Sequence, residues 1–292
     1  GALGTSLVSS PLFANVGFWF LHNPGFAIGI TAAGGAVGQG VVPYLSAWAI
    51  ETYDWRTAYV ILAGLYLVVL LPVAFLVREP PGRVASSRQI PVPGPAMNVT
   101  ETEVVAWISL AVIFCCNCMA VPIVHLVPLL TDSGVSSTEA ASILLTLMFA
   151  GGVGRVLAGK LCDNLGALST YLMMSLGQSA FAFGFPQLSS LFGLYVLAAL
   201  FGFTYSGVMS SILVLTRMMV SPGFAARAMS ITAFFGWFGM GMGAYVGGLF
   251  FDMYGNYNLA FVYASMMGMA NLAVLLLFRN RVRRVQEAAV AI

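Results

Sequence analysis

Residues 104–130 read VVAWISLAVIFCCNCMAVPIVHLVPLL, 27 consecutive positions without Lys, Arg, Asp or Glu. A helix rises about 1.5 Å per residue, so this run reaches roughly 40 Å, more than the ~30 Å hydrocarbon core of a bilayer. Inside that core a backbone must satisfy its own N–H and C=O groups, which only a helix or a closed barrel achieves. The run lacks the alternation of apolar and polar residues that a barrel strand carries, so it reads as a membrane helix.

Runs of the same kind extend in both directions, over 1–20, 27–50, 57–77, 139–158, 169–185, 188–216, 225–251 and 259–278. The 292-residue chain is 60% hydrophobic and 8% charged, with a mean hydropathy of +0.92. Soluble domains carry about 25% charged residues, so water is not the main solvent here. The expected fold is all-α, a polytopic membrane protein with nine spans. The Pro-, Gly- and Ser-rich stretch from Arg78 to Glu103 is the one long polar interruption. It divides the chain into a first helical group (1–78), a linker (79–103), a second group (104–280) and a tail (281–292).

If successive connections alternate between two sides, one side receives Arg78, Arg83, Arg88, Arg155, Lys160, Arg217, Arg227, Arg279, Arg281, Arg283 and Arg284, and the other only Arg56. By the positive-inside rule the linker and C-terminus are then cytoplasmic and Gly1 is outside, in a plasma (inner) membrane. The four arginines between Arg279 and Arg284 suit anionic headgroups of the lipid bilayer. A net charge of +2 is too small to suggest nucleic acid. Cys115 and Cys118 have C-x-x-C spacing, yet no second ligand pair follows, so neither a metal nor a cofactor is expected. The chain opens at Gly1, with neither Met nor a charged leader, and reads as an internal start.

An internal repeat organises the chain. Pro24-Gly25-Phe26-Ala27 returns as Pro222-Gly223-Phe224-Ala225 after 222 − 24 = 198 positions, each time opening a glycine-rich apolar run. Ala58-Tyr59-Val60 similarly returns as Ala260-Phe261-Val262. A period near 200 cannot fit twice into 292 residues. Two similar six-helix halves, the first lacking its three leading helices, account for this pattern. The chain is then expected to act as a monomer if complete, with the missing helices supplied by another chain if it is not.

The stretch Gly154 to Gly166, GRVLAGKLCDNLG, resembles the G-x-L-x-D-R-x-G loop signature of the major facilitator superfamily, through Gly159, Leu161, Asp163 and Gly166. Asn164 replaces the usual Arg. Together with GFAIGITAAGGAVGQGVVP, WRTAYVILAG and VPIVHLVPLLTDSG, this loop resembles the monocarboxylate-porter-like branch, across helices four to twelve of twelve. The resemblance implies alternating-access transport of a small-molecule substrate, an organic anion or related metabolite, with possible coupling to protons. The sequence holds no HExxH, no G-x-S-x-G elbow and no intramembrane pair of carboxylates at catalytic spacing, so a membrane enzyme is not expected. Arg155 and Gly159 match that branch's helix-eight pattern, whereas the position of its Asp is Gly151. The expected gating residues are Gly159, Lys160, Asp163 and Gly166.

Five side chains are candidates for substrate contact. Arg155 follows a glycine-rich stretch. An Arg at a helix centre costs about 2.5–3.5 kcal/mol on insertion scales, so it needs water or a partner, either an anionic cargo or Asp163 and nearby carbonyls. His125, between Pro122 and Pro128, could carry protons or simply bond a neighbouring helix. Asn117 lies two turns earlier on an imperfectly aligned face. Tyr205 and Ser210 offer hydroxyls to a ligand or to helix packing. Gly34 with Gly38, and Gly239, Gly243 and Gly247, have the small-residue spacing expected of close helix contacts. The rival to anion transport is efflux of amphipathic, drug-like compounds; a non-transporting membrane fragment is the remaining alternative.

Overall fold

A computed structural model describes residues 12–13, 15–16, 19–20, 23–76, 78 and 99–290. Most of the expected first span and of the linker lies outside them. The described residues form eight α-helices: α1 (Pro24–Thr52), α2 (Trp55–Leu76), α3 (Glu101–Asp132), α4 (Ser137–Leu165), α5 (Ala167–Gly184), α6 (Leu191–Met218), α7 (Pro222–Tyr254) and α8 (Asn258–Val290). A single 3-10 turn, Phe185–Gln187, follows α5. Six of them, α2, α3, α4, α6, α7 and α8, have both the length and the hydropathy to cross a membrane. Helix α5 is more polar in composition, through Thr170, Ser175, Gln178 and Ser179. The α5 residues are buried inside the bundle.

Local chemistry sets the helix ends. Thr100, Ser136 and Ser190 each accept the N–H three residues ahead, at 3.3 Å, and so cap α3, α4 and α6. Asp54 accepts the Thr57 N–H and hydroxyl, both at 2.9 Å, at the start of α2, and these bonds hold its carboxyl below the usual carboxylate range. Both copies of the repeated Pro-Gly-Phe-Ala begin a helix, α1 and α7, with the proline in the first turn, where its missing N–H costs nothing. The Asp163-bearing stretch is mostly helical rather than looped. Gly159, Lys160 and Asp163 lie in the last two turns of α4, and only Gly166, at φ 86°, turns the chain into α5.

Packing rests on glycine. Helices α3 and α7 run parallel. A Cβ on Gly236, Gly239, Gly243 or Gly247 would press in turn on Val112, Ile113, Asn117 and His125. Helix α4 is held between α1 and α6. A methyl on Gly154 would overlap the Phe203 backbone, and one on Gly159 would overlap the Gly25 carbonyl. Close backbone approach of this kind is what small residues permit when lipid supplies no hydrophobic drive between helices. Among the described residues nothing lies within 4 Å of a Cβ at Gly34 or Gly38, and the close contacts of α1 fall at Gly25 and Gly29.

A buried polar cluster ties α3, α5 and α8. Gln178 Nε2 donates to the Cys115 carbonyl at 3.0 Å, Tyr171 Oη donates to Asn271 Oδ1 at 3.1 Å, and Asn271 Nδ2 donates to Ser175 Oγ. Helix α8 continues to Val290, and Arg281 pairs with Glu103 at 3.0 Å. Helix α2 is exposed nearly throughout, Ala58 being its buried residue.

Candidate functional site

The site forms where α1 crosses α4. Gly154 faces α6 and Gly159 faces α1, which leaves Arg155 between them, 8% exposed. Its Nη1 donates to the Ala32 carbonyl on α1, in a short bond. Gly35 makes room for it, because a Cβ there would lie 3.0 Å from Nη1. The remaining face of Arg155 looks into a cavity of about 400 Å³ bounded by α1, α3, α4, α6 and α7. Tyr205 shares that wall, its ring stacked on Phe201 at 5.6 Å and its hydroxyl 3.4 Å from Met148 Sδ.

Arg155 has no carboxylate partner. Among the described residues the ion pair found is Arg281 with Glu103, at the bundle's end. Asp163, the nearest acid in sequence that could have neutralised Arg155, is engaged elsewhere. Its two oxygens accept the Gly25 and Phe26 N–H groups, each at 2.9 Å. These are unsatisfied first-turn donors of α1, whose own N-cap residue, Asn23, makes no side-chain cap. A carboxylate at a helix N-terminus also gains from the helix dipole. Lys160 is exposed on the same two turns.

The structure brings Arg155 and Tyr205 together and leaves the other three candidates away from the cavity wall. His125 Nε2 donates to the Ala244 carbonyl at 2.9 Å, and its ring lies 5.1 Å from that of Tyr257. A carbonyl only accepts, so the bonded nitrogen carries the proton. Asn117 is packed under Gly243 of α7, and Ser210 is wholly buried in α6. Among the described residues no three His, Cys, Asp or Glu side chains converge as metal ligands would.

The cavity also contains groups that the sequence did not single out. Gln39, Thr216 and Thr232 are polar, while Met119, Met209, Met229, Met240 and Trp237 supply flexible or aromatic apolar surface. Met229, Thr232, Gly236, Trp237 and Met240 recur every three to four residues of α7 and form one helix face. That periodicity was available in sequence. In a helix apolar all round, however, nothing marks which face meets the cavity and which meets lipid.

The family profile of the Major Facilitator Superfamily matches residues 1–192 and, in overlap, 106–291. A fungal MFS-type transporter from Gibberella moniliformis is 30% identical over 232 residues, 72% of this chain and 50% of its own length. Rat monocarboxylate transporter 13 is 25% identical over 94% of this chain and 64% of its own length. The fujikurins efflux protein of Gibberella fujikuroi is 30% identical over 76% of this chain and 47% of its own. The chain thus spans roughly half to two thirds of the curated relatives it matches. The Escherichia coli fucose:proton symporter FucP superposes with a TM-score of 0.66 at 13% identity, over 92% of this chain and 73% of its own. The relatives are transporters rather than enzymes.

Proposed function

The chain belongs to the Major Facilitator Superfamily, and from that premise we propose that it forms part of a secondary active transporter carrying small organic anions by alternating access. It is an integral, multi-pass membrane protein. The observation that carries the reading is Arg155, a cation 8% exposed that bonds one backbone carbonyl and faces a cavity. An uncompensated buried charge is costly, and a carboxylate entering the cavity would offset it through the guanidinium's planar fork. The likeness to rat monocarboxylate transporter 13 supports the same cargo class.

In this reading residues 1–78 belong to one helical half and 104–280 to the other, joined by a cytoplasmic linker. Gly159, Lys160, Asp163 and Gly166 form the cytoplasmic gate. Support for the gate is the Asp163 carboxylate, which spans from α4 to the first turn of α1. Support for the halves is the repeated Pro-Gly-Phe-Ala that opens α1 and α7.

The test is uptake of labelled monocarboxylates by the full-length protein in proteoliposomes, with and without an imposed proton gradient. Arg155→Ala is expected to lower uptake more than tenfold, with Arg155→Lys intermediate because it keeps the charge and loses the fork. Uptake at the wild-type rate by Arg155→Ala overturns anion contact. Efflux of larger amphipathic compounds is the second reading, supported by the methionines and Trp237 on the cavity wall and by the likeness to the fujikurins efflux protein. Drug-like cations competing with monocarboxylates as strongly as anions do would favour it.

A further inference from the structure

In this chain, threonine hydroxyls inside helices commonly satisfy themselves by bonding back one turn. Thr31, Thr146, Thr170, Thr204 and Thr216 each donate to the carbonyl four residues earlier, at 2.9–3.0 Å or, for Thr216, 2.8 Å. Thr232 does not. Its side chain is 3% exposed, and its Oγ1 meets no hydrogen-bonding partner among the described residues. Buried polar atoms without a partner are rare in native structures, because each forfeits the hydration it had in water. Ser109, Ser206 and Ser210 share this state but lie away from the cavity. Two such atoms belong to residues on its wall, Thr232 Oγ1 from α7 and Arg155 Nε from α4. Helix α4 packs on α1 and α6 while α7 packs mainly on α3, so the two groups come from different walls.

Between them the surface is apolar and adaptable. Met229, Trp237 and Met240 continue the Thr232 face of α7, and Met119 and Met209 approach from α3 and α6. Methionine walls adjust to varied shapes. A volume of about 400 Å³ falls among drug-sized pockets, which run from about 300 to 1,000 Å³, and exceeds what a three-carbon acid would fill.

We propose that Thr232 is a specificity-determining contact for the cargo, and that the cargo is an amphipathic monocarboxylate. Its carboxylate meets Arg155, its apolar body lies on Met229, Trp237 and Met240, and a hydroxyl or keto oxygen on that body bonds Thr232. The inference rests on the anion-transport reading and goes beyond it by naming the second polar group that the ligand must carry. A hydrocarbon tail against Thr232 would leave the hydroxyl unpaired, and a ligand that pairs it is preferred by about one hydrogen bond.

Binding of octanoate, its monohydroxylated isomers and propionate to the purified full-length protein, measured by calorimetry, tests this. Octanoate should bind more tightly than propionate, and at least one hydroxylated isomer about fivefold more tightly than octanoate. In Thr232→Val that isomer and octanoate should bind equally, whereas Thr232→Ser should keep the preference. Retention of the preference in Thr232→Val, or no preference for any isomer in the wild type, overturns the inference and leaves the anion reading standing. Octanoate affinity undiminished in Arg155→Gln overturns the anion reading instead, with the Thr232 preference still readable. Failure of the wild type to bind any of these anions overturns both.

Discussion

Asp163 on α4 caps a helix from 138 residues away, its Oδ1 accepting the Gly25 N–H at 2.9 Å. The adjacent Phe26 N–H goes to Oδ2 at the same distance. One side chain therefore fastens the end of α4 to the start of α1, where Gly159 and Gly25 already bring the two backbones together. A comparable bond holds the other copy of the repeat, with Glu101 of α3 accepting the Ser221 N–H just ahead of α7.

Removing this cap should loosen the junction. Asp163→Ala is expected to cost about 1 kcal/mol and to lower the apparent melting midpoint by roughly 2–4 °C. Asp163→Asn, which keeps one acceptor, should lose less. Thermal unfolding followed by intrinsic fluorescence reads the difference; equal midpoints for wild type and Asp163→Ala would mean the clamp adds nothing.

The glycines of α1 and α4 should separate sharply by position. Gly159→Leu drives a side chain into the Gly25 carbonyl and is expected to abolish a monodisperse, folded product. Gly34→Ala meets no neighbour among the described residues and should leave the midpoint unchanged or raise it, since Ala favours a helix over Gly by up to about 1 kcal/mol. Size-exclusion profiles of the two variants check this, and equal behaviour would contradict the packing described.

His125 is held by the Ala244 carbonyl and packed beneath Gly247 and beside Tyr257. It should therefore contribute to stability rather than proton transfer. His125→Gln is expected to lower the melting midpoint while leaving the pH profile of transport unshifted. A displaced profile would assign the imidazole a proton-carrying role.

The α5–α8 cluster should behave as a coupled unit. Tyr171→Phe and Asn271→Leu remove the two ends of one bond of 3.1 Å, so their effects should be non-additive by about 0.6 kcal/mol or more. A double-mutant cycle on unfolding measures the coupling; strict additivity would show the bond to be energetically idle.

Gly35→Ala should act on anion affinity through Arg155. Its new methyl would lie 3.0 Å from Nη1 and force the guanidinium to shift. The expected result is a KM for monocarboxylates raised several-fold with a near-normal melting midpoint, read from uptake kinetics and thermal unfolding. An unchanged KM would indicate that the guanidinium position does not matter to the cargo.

By itself, the order of residues determined the solvent, the helical class, the positions of the described helices and the repeat. Each of these depends on information local to a few turns. A 27-residue uncharged run can only be helical in lipid, and Pro-Gly-Phe-Ala starts a helix wherever it stands, as it does at Pro24 and Pro222. It likewise marked Arg155, because a charge in an apolar run is conspicuous whatever surrounds it. Tertiary structure alone decided what each side chain faces. Asp163 could have paired with Arg155 on its own helix and instead caps α1; His125 was free to titrate and is bonded to Ala244. Gly34 and Gly38 have the spacing of a contact face, yet among the described residues the contact falls at Gly25 and Gly29. Thr232 resembles every other helical threonine until its missing partner is seen. The reason is physical: in a helix apolar on all sides, hydrophobic periodicity carries no contrast between lipid, neighbour and cavity, so only packing assigns the faces.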